Sequence, residues 1–149
     1  MAERPEIRAL DDTEVDSVGR VLGLARLHQG YGHYLVAWLE GEPVGHAYLT
    51  FTNPPELQDV EVREAFRRRG VARLLVGAAE ISASQRDARV LRLSVSAHDE
   101  RVQTLYRSLG FEDTGLAPLT VRGTIQIRSG PLDVDDVLLT WEKALEPPG

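Results

Sequence analysis

The feature that most constrains the fold of this chain is an arginine-rich bend between a strand pattern and a helix pattern. Leu57–Val62 is predicted to be a strand, because valines and acidic residues alternate at its end, with Val60 and Val62 on one face and Asp59 and Glu61 on the other. Arginines and Gly70 follow, and small or apolar residues then recur at helical spacing, namely Val71, Leu74, Leu75 and Ala78. A strand that passes directly into a helix indicates a domain that mixes both elements.

The remaining periodic segments extend this pattern over the whole chain of 149 residues. Alternating or apolar runs predict strands, and apolar residues at helical spacing predict helices. Strands are expected at 6–10, 34–39, 44–50, 57–62 and 90–95, with two more around 121–127 and 137–141, and helices at 11–28, 71–81 and 102–109. The order β-α-β-β-β-α-β-α-β-β predicts one α/β (α+β) domain over residues 1–149, on a mixed sheet that cannot be all parallel.

Turn and capping residues mark several boundaries of these elements. Gly41-Glu42-Pro43 predicts the turn of a hairpin, and Ser129-Gly130-Pro131 predicts the turn between the last two strands. Asp11-Asp12-Thr13 offers capping side chains for the first helix. Asp99 is placed to cap the third helix and Gly110 to end it.

The composition of the chain excludes several classes of protein and site. Lys and Arg number 17 and Asp and Glu 23, a net charge of −6, whereas a general nucleic-acid binder needs net or clustered positive charge. There is no cysteine, which excludes disulfides, thiolate zinc sites and a cysteine nucleophile. No apolar run approaches the roughly 18 residues of a membrane span. The first residues also lack the apolar core of a signal peptide, so we expect a cytoplasmic protein that does not enter a membrane.

The bend has the properties of an anion-binding site. A helix N-terminus presents unpaired backbone N–H groups and a partial positive charge, which together attract phosphate. Gly70 has no side chain, so a bulky anion can approach the backbone there. The positive charge comes from four neighbouring residues, Arg67, Arg68, Arg69 and Arg73. The alternative is a solvated arginine run, since the spacing matches neither a Walker A loop nor a dinucleotide fingerprint.

Two segments in this order resemble a known family. Val62–Ala72 is similar to the acetyl-CoA-binding motif of the GNAT superfamily of N-acetyltransferases, Arg/Gln-x-x-Gly-x-Gly/Ala after a strand-ending Val. Asp99–Phe111 resembles the family helix Asn-x-x-Ala-x-x-Leu-Tyr-x-x-x-Gly-Phe, and the hairpin Tyr34–Thr50 resembles its second and third strands. The resemblance covers residues 5–115 and the last strand. It implies a GNAT-like mixed, mostly antiparallel sheet flanked by helices.

The resemblance also implies a cofactor, acetyl-CoA, and the residues that hold it. The backbone amides from Arg68 through Arg69, Gly70, Val71 and Ala72 to Arg73 are expected to bind the pyrophosphate, with Arg67 beside them. The main chain at Val60 and Val62 is expected to bind the pantetheine arm as an added strand. Asp99 stands at the usual Asn position and is a candidate cofactor residue, although an ionised Asp accepts hydrogen bonds and cannot donate them.

The implied reaction is acetyl transfer to a primary amine of a small molecule or peptide by direct attack on the thioester. Tyr106 is the expected general acid, because family members commonly use the matching Tyr to donate to the sulfur; the alternative is a packed helix aromatic. Glu56 is the expected base, on the same strand parity as Val60 and Val62; the alternative is a solvated carboxylate. Further candidates are Asp59, Glu61, His33 and His46. The four histidines are too scattered for a metal site, and none is expected.

The acceptor amine is not identified by the sequence. Residues 112–136 match the family least, and Asp133, Asp135 and Asp136 could either attract a cationic amine or form a solvated turn. A homodimer is possible, since dimers are frequent among such proteins. The alternative function is a non-catalytic acyl-CoA-binding module of the same fold. Nucleic-acid binding through the arginines is disfavoured, because interleaved aromatic residues are missing.

Overall fold

The computed structural model describes residues 4–24, 31–127 and 130–147. These residues form eight strands and three α-helices. The strands are β1 (Glu6–Ala9), β2 (Gly32–Leu39), β3 (Glu42–Thr50), β4 (Leu57–Val62), β5 (Val90–Ser96), β6 (Glu112–Asp113), β7 (Leu119–Ile127) and β8 (Gly130–Ala144). The helices are α1 (Val15–Leu22), α2 (Val71–Gln85) and α3 (Glu100–Ser108).

The predicted order of elements is confirmed, with three differences and two segments that cannot be compared. The short strand β6 was not predicted, because two residues carry no periodic signal. Glu42 and Pro43 were predicted in a turn but begin β3. The turn is instead the pair Glu40 and Gly41, whose φ angles of 52° and 79° suit a two-residue hairpin. The first helix was predicted to run to about His28 but ends at Leu22, where Gly23 with a φ of 70° closes it. Residues 25–28 and Ser129 of the last turn lie outside the described residues.

Two antiparallel sheets make up the fold, so the expectation of a mostly antiparallel sheet is confirmed. The first has the order β1-β2-β3-β4, and the second has β5-β8-β6 with β7 also paired to β8. The sheets touch through one parallel bridge between Glu56 and Arg92. Beyond that bridge β4 and β5 are edge strands that do not pair with each other, and we call the space between the two sheets the cleft.

The first sheet carries a helix on each face. Alternate residues of β2 point to opposite sides, so Leu35 joins the larger apolar core and Val36 a smaller one. Leu75 of α2 is buried in the larger core, and Val18 of α1 is buried in the smaller one. Burial of these apolar faces holds α1 and α2 against the sheet. Within the described residues no helix is long and apolar enough to cross a membrane.

A bulge interrupts β4 near the middle of the strand. Asp59 and Val60 together lie opposite Ala47 of β3, where the strand register shifts. Asp59 has a φ of 51°, a left-handed conformation that a residue with a side chain rarely adopts. The bulge therefore changes which β4 side chains face the cleft, as described below.

Candidate active site

A cavity of about 590 Å³ lies between the end of β4, the arginine bend, the start of α2 and α3. Its lining is Val60, Glu61, Val62, Phe66, Arg67, Arg68, Gly70, Val71, Ala72, Arg73, Val102, Leu105 and Tyr106. Eight residues that the sequence predicted for the cofactor line it, together with the predicted acid Tyr106. The structure thus brings most of the two motifs to one cavity.

The N-terminus of α2 offers unpaired backbone donors to this cavity. Gly70 is the N-cap and no side chain caps the helix, nor does its first turn contain an acidic residue. The first backbone bond of the helix runs from the Leu74 N–H to the Gly70 carbonyl at 3.1 Å. The N–H groups of residues 68–73 have no acceptor among the described residues. Such a helix start is suited to bind an anion.

Gly70 leaves the approach to these donors open. Its φ is 76°, and a Cβ built there would meet no atom within 4 Å. Arg68 also has a positive φ, 66°, which is uncommon for a residue with a side chain. The bend therefore contains two left-handed residues, a conformation that is found in backbone turns that bind anions.

The arginine side chains of the bend differ in position. Arg67, Arg68 and Arg73 line the cavity, whereas Arg69 does not and lies with its guanidinium 5.5 Å from the Phe66 ring. Arg67 Nε donates to the Val62 carbonyl at 2.9 Å, which ties the bend to the end of β4. The cationic rim is therefore formed by three arginines, and Arg69 packs on an aromatic ring instead.

The edge of β4 forms one wall of the cavity. Val60 and Val62, whose main chain the sequence analysis assigned to the pantetheine arm, both line it. Since β4 pairs only with β3 beyond the bridge at Glu56, no other strand pairs with its second edge among the described residues. An unpaired edge can accept an extended ligand as a further strand.

Tyr106 lies on the opposite wall, where α3 faces the cavity. Its side chain is mostly buried and packs edge-on against Phe111, with ring centroids 5.6 Å apart. Burial raises the pKa of the Tyr106 phenol to about 12, because the phenolate would lose its solvation. The group therefore keeps its proton throughout the neutral and mildly alkaline range and remains a donor.

Glu56 does not share a face with Val60 and Val62, so that part of the prediction is wrong. Leu57 and Val62 belong to the same core although their positions differ in parity. The bulge between them reverses the alternation, and Glu56 is therefore in phase with Glu61. Glu56 instead lies at the bridge to Arg92, at the apex of the cleft.

Asp99 caps α3 and does not line the cavity. Its carboxylate accepts from the Val102 N–H at 3.1 Å, as the sequence predicted for an N-cap. Phe66, Glu61, Val102 and Leu105 line the cavity but were not predicted to do so. The last two have a signal in the sequence, since Val102 lies four residues before Tyr106 and three before Leu105, the spacing of neighbours on one face of a helix.

The other candidate bases lie outside the cavity lining except for Glu61. His33 Nε2 lies 3.2 Å from Ser82 Oγ of α2, and burial lowers the pKa of the His33 ring. The cluster of His46, Asp59 and Glu61, whose ligand-type atoms lie within 4.8 Å of one another, was not predicted from the sequence. The bulge brings these three residues together.

The acidic residues of β8 all have partners. Asp133 accepts from the Thr124 hydroxyl at 2.6 Å, and Asp136 accepts from the Ser96 hydroxyl at 2.9 Å. Asp135 lies 3.2 Å from Arg122 Nε. These contacts favour a structural role for the three carboxylates along β8.

Comparison with known proteins adds a family model and a set of similar structures. The model for the acetyltransferase (GNAT) family matches residues 5–111. No curated protein matches the sequence significantly. The fold is similar to the ribosomal-protein-S18-alanine N-acetyltransferase of Escherichia coli, with a TM-score of 0.71 and 18% identity over 98% of this chain and 97% of that chain.

Two further structures that resemble this chain were determined with a ligand. One is a GNAT family acetyltransferase from Elizabethkingia anophelis with acetyl-CoA bound, with a TM-score of 0.67 and 14% identity over 96% of this chain and 99% of that chain. The other is a Bacillus subtilis acetyltransferase in complex with CoA, with a TM-score of 0.68 and 18% identity over 96% and 100%. At this identity the likeness establishes a shared fold.

Proposed function

Because this chain belongs to the acetyltransferase (GNAT) family, we propose that it transfers the acetyl group of acetyl-CoA to a primary amine of a small molecule or peptide. The observation that carries the proposal is the single cavity that joins the uncapped N-terminus of α2, the free edge of β4 and Tyr106. The unpaired N–H groups of residues 68–73 fit a pyrophosphate, and the apolar wall of Val60 and Val62 fits an extended pantetheine arm.

The order of groups along the cleft supports an assignment of roles. The anion-binding N–H groups follow the C-terminal end of β4, while the bulge and then Glu56 lie progressively toward the apex of the cleft. Acetyl-CoA supplies an activated acyl group. A backbone N–H of β4 near Val60 or Val62 polarises the thioester carbonyl by donating a hydrogen bond, and Tyr106 donates to the sulfur.

The acceptor amine must be neutral before it can attack. An alkylammonium with a pKa of about 10.4 costs roughly 4–5 kcal/mol to deprotonate at pH 7. Glu56 is our candidate for the proton acceptor, directly or through water, because it lies at the apex of the cleft and is half-buried.

A panel of amines tests the proposed function. Polyamines, amino acids, aminoglycosides and peptide N-termini are each incubated with acetyl-CoA, and CoA release is measured together with the mass of the product. We expect CoA release and a mass increase of one acetyl group for at least one class. Tight binding of acetyl-CoA with no turnover on any of these amines would favour the non-catalytic acyl-CoA-binding module.

The substitution Glu56→Gln tests the proton acceptor. The rate rises with pH because the amine must lose a proton, and removing its acceptor should move that rise to higher pH, by about one unit or more. The measurement is kcat/KM between pH 6 and pH 10 for the best amine of the panel. Glu6→Gln, an exposed carboxylate on the far edge strand β1, serves as the control. An unshifted profile in Glu56→Gln would show that solvent takes the proton.

A further inference from the structure

Two buried side chains bind Asp59 in the bulge of β4. The Tyr34 hydroxyl donates to Asp59 Oδ2 at 2.9 Å, and His46 Nδ1 lies 2.8 Å from the Asp59 backbone oxygen. A carbonyl oxygen only accepts, so the His46 ring carries a proton on Nδ1 and donates it. Tyr34 is 1% exposed and His46 3%, and their rings pack edge to face. Neither residue lines the cavity.

The backbone that these side chains hold has an uncommon conformation. Asp59 has a φ of 51°, which lies in the left-handed region. Glycine adopts this region without a steric cost, whereas most other residues do not. Bulges of this kind commonly place glycine at that position. Here an aspartate occupies it, with one hydrogen bond to its side chain and one to its backbone oxygen. The next residue, Val60, lines the cavity, so the conformation of Asp59 sets the direction of the Val60 backbone.

We propose that Tyr34 and His46 are positioning residues that fix Asp59 in its left-handed conformation and thereby aim the backbone N–H of β4 at the thioester carbonyl. The proposal rests on the proposed function, since it concerns the same reaction. Tyr34 and His46 act through Asp59 and touch none of the reacting atoms. The role of Asp59 is conformational: its side chain accepts the Tyr34 hydrogen bond, and the negative charge of its carboxylate is not required.

The competing role for the same cluster is direct proton acceptance by Asp59. The Asp59 side chain is 17% exposed and lies 3.7 Å from His46 Nδ1, an arrangement that a base could share. The two roles require different properties of residue 59. A base requires the carboxylate, whereas a conformational role requires a residue that tolerates a positive φ.

Three substitutions at Asp59 separate these roles. Asn keeps a hydrogen-bond acceptor and tolerates the left-handed region, Gly keeps only the conformation, and Ala keeps neither. We expect kcat to fall by about tenfold or more in Asp59→Ala and by less than about threefold in Asp59→Asn and Asp59→Gly, since a misaimed donor stabilises the transition state less. The affinity for CoA, measured by calorimetry, should change little in all three.

Asp87→Ala is the matched control for backbone strain. Asp87 has a φ of 65° in the turn after α2, so its replacement imposes a similar strain outside the cavity. We expect this variant to lower the melting temperature as Asp59→Ala does, while kcat stays at the wild-type value. A fall in kcat that is seen only in Asp59→Ala is then not an effect of lowered stability.

The role of Tyr34 is tested in the background of the Asp59 variants. Tyr34→Phe removes only the hydroxyl, and we expect it to lower kcat in the wild-type chain by several-fold without changing the affinity for CoA. In Asp59→Gly the same change should have no further effect, because glycine adopts the left-handed conformation without a steric cost and has no side chain for the Tyr34 hydroxyl to bind.

Two results would overturn the proposal. If Asp59→Asn and Asp59→Gly lose as much activity as Asp59→Ala, the carboxylate itself is required. If kcat is unchanged in all of the Asp59 and Tyr34 variants and only the melting temperature falls, the cluster is purely structural.

A binding measurement that needs no acceptor amine tests the positioning role independently of acetyl transfer. A correctly aimed N–H recognises the thioester carbonyl, so Asp59→Ala should reduce the preference for acetyl-CoA over CoA in calorimetry, while Asp59→Gly should retain it. If wild-type protein transfers no acetyl group, the proposed function fails, yet this ratio still reports on the bulge. An unchanged ratio in Asp59→Ala would contradict the positioning role.

Discussion

Tyr106→Phe is expected to lower kcat by about ten- to one-hundredfold while leaving the affinity for acetyl-CoA within about twofold, because a hydrogen bond to a charged group contributes roughly 1.5–3 kcal/mol. Phenylalanine keeps the ring that packs against Phe111, so the fold around α3 should be preserved. The change removes only the donor that faces the cavity. Its effect therefore belongs to the step in which negative charge develops on sulfur.

The raised pKa of Tyr106 sets the pH range over which this donor acts. Burial disfavours the phenolate, so the pKa rises from its ordinary value of 10.0 to about 12 and the phenol stays protonated below that pH. A thiol has an ordinary pKa of about 8.5, so full transfer from the phenol to a thiolate is uphill, and donation of a hydrogen bond is the main contribution. We expect no loss of kcat attributable to Tyr106 between pH 7 and pH 10.

Steady-state kinetics at saturating acetyl-CoA and amine provide the measurement. Tyr31→Phe, which removes a hydroxyl from a tyrosine that is 70% exposed and outside the cavity, is the matched control and should behave as wild type. Wild-type turnover in Tyr106→Phe would remove the donor role. An equal loss in affinity and kcat would instead indicate that the hydroxyl contributes to binding.

Gly70→Val is expected to weaken binding of CoA by at least about tenfold. Valine is strained at a φ of 76°, so the bend must either change its backbone or place a branched side chain over the N–H groups of residues 68–73. Either change disrupts charge-assisted hydrogen bonds to phosphate, each of which contributes roughly 1.5–3 kcal/mol. Calorimetry with CoA gives the affinity directly and needs no acceptor amine.

Gly115→Val controls for the strain of the substitution itself. Gly115 has a φ of 77° and open space around it, which closely matches Gly70, but it lies after β6 and outside the cavity. Both variants should lose a similar amount of thermal stability, and only Gly70→Val should lose affinity for CoA. Unchanged affinity in Gly70→Val would refute the assignment of this bend to the pyrophosphate.

The sequence predicted those parts of the fold that are determined by residues close together in the chain. The strand at 57–62, the helix that begins at Val71 and the Asp99 cap each follow from residue spacing or from a capping side chain. The hairpin turn was misplaced by two residues because Pro43 is a stronger turn signal than the Glu40–Gly41 pair that forms it.

The bulge in β4 could not be read from the sequence. Strand alternation predicted that Glu56 shares a face with Val62, and one extra residue reversed it. A bulge is usually signalled by glycine, and here Asp59 occupies the left-handed position because Tyr34 and His46, distant in sequence, bind it. Similarly, the packing of Arg69 on Phe66 depends on side-chain placement that spacing does not encode.

A crystal structure with acetyl-CoA bound tests the central claim most directly. We predict that the pyrophosphate accepts hydrogen bonds from the backbone N–H groups of residues 68–73 and that the pantetheine arm extends along the edge of β4 toward the bulge. Pyrophosphate bound elsewhere, with those N–H groups paired to the chain itself or to solvent, would contradict the account.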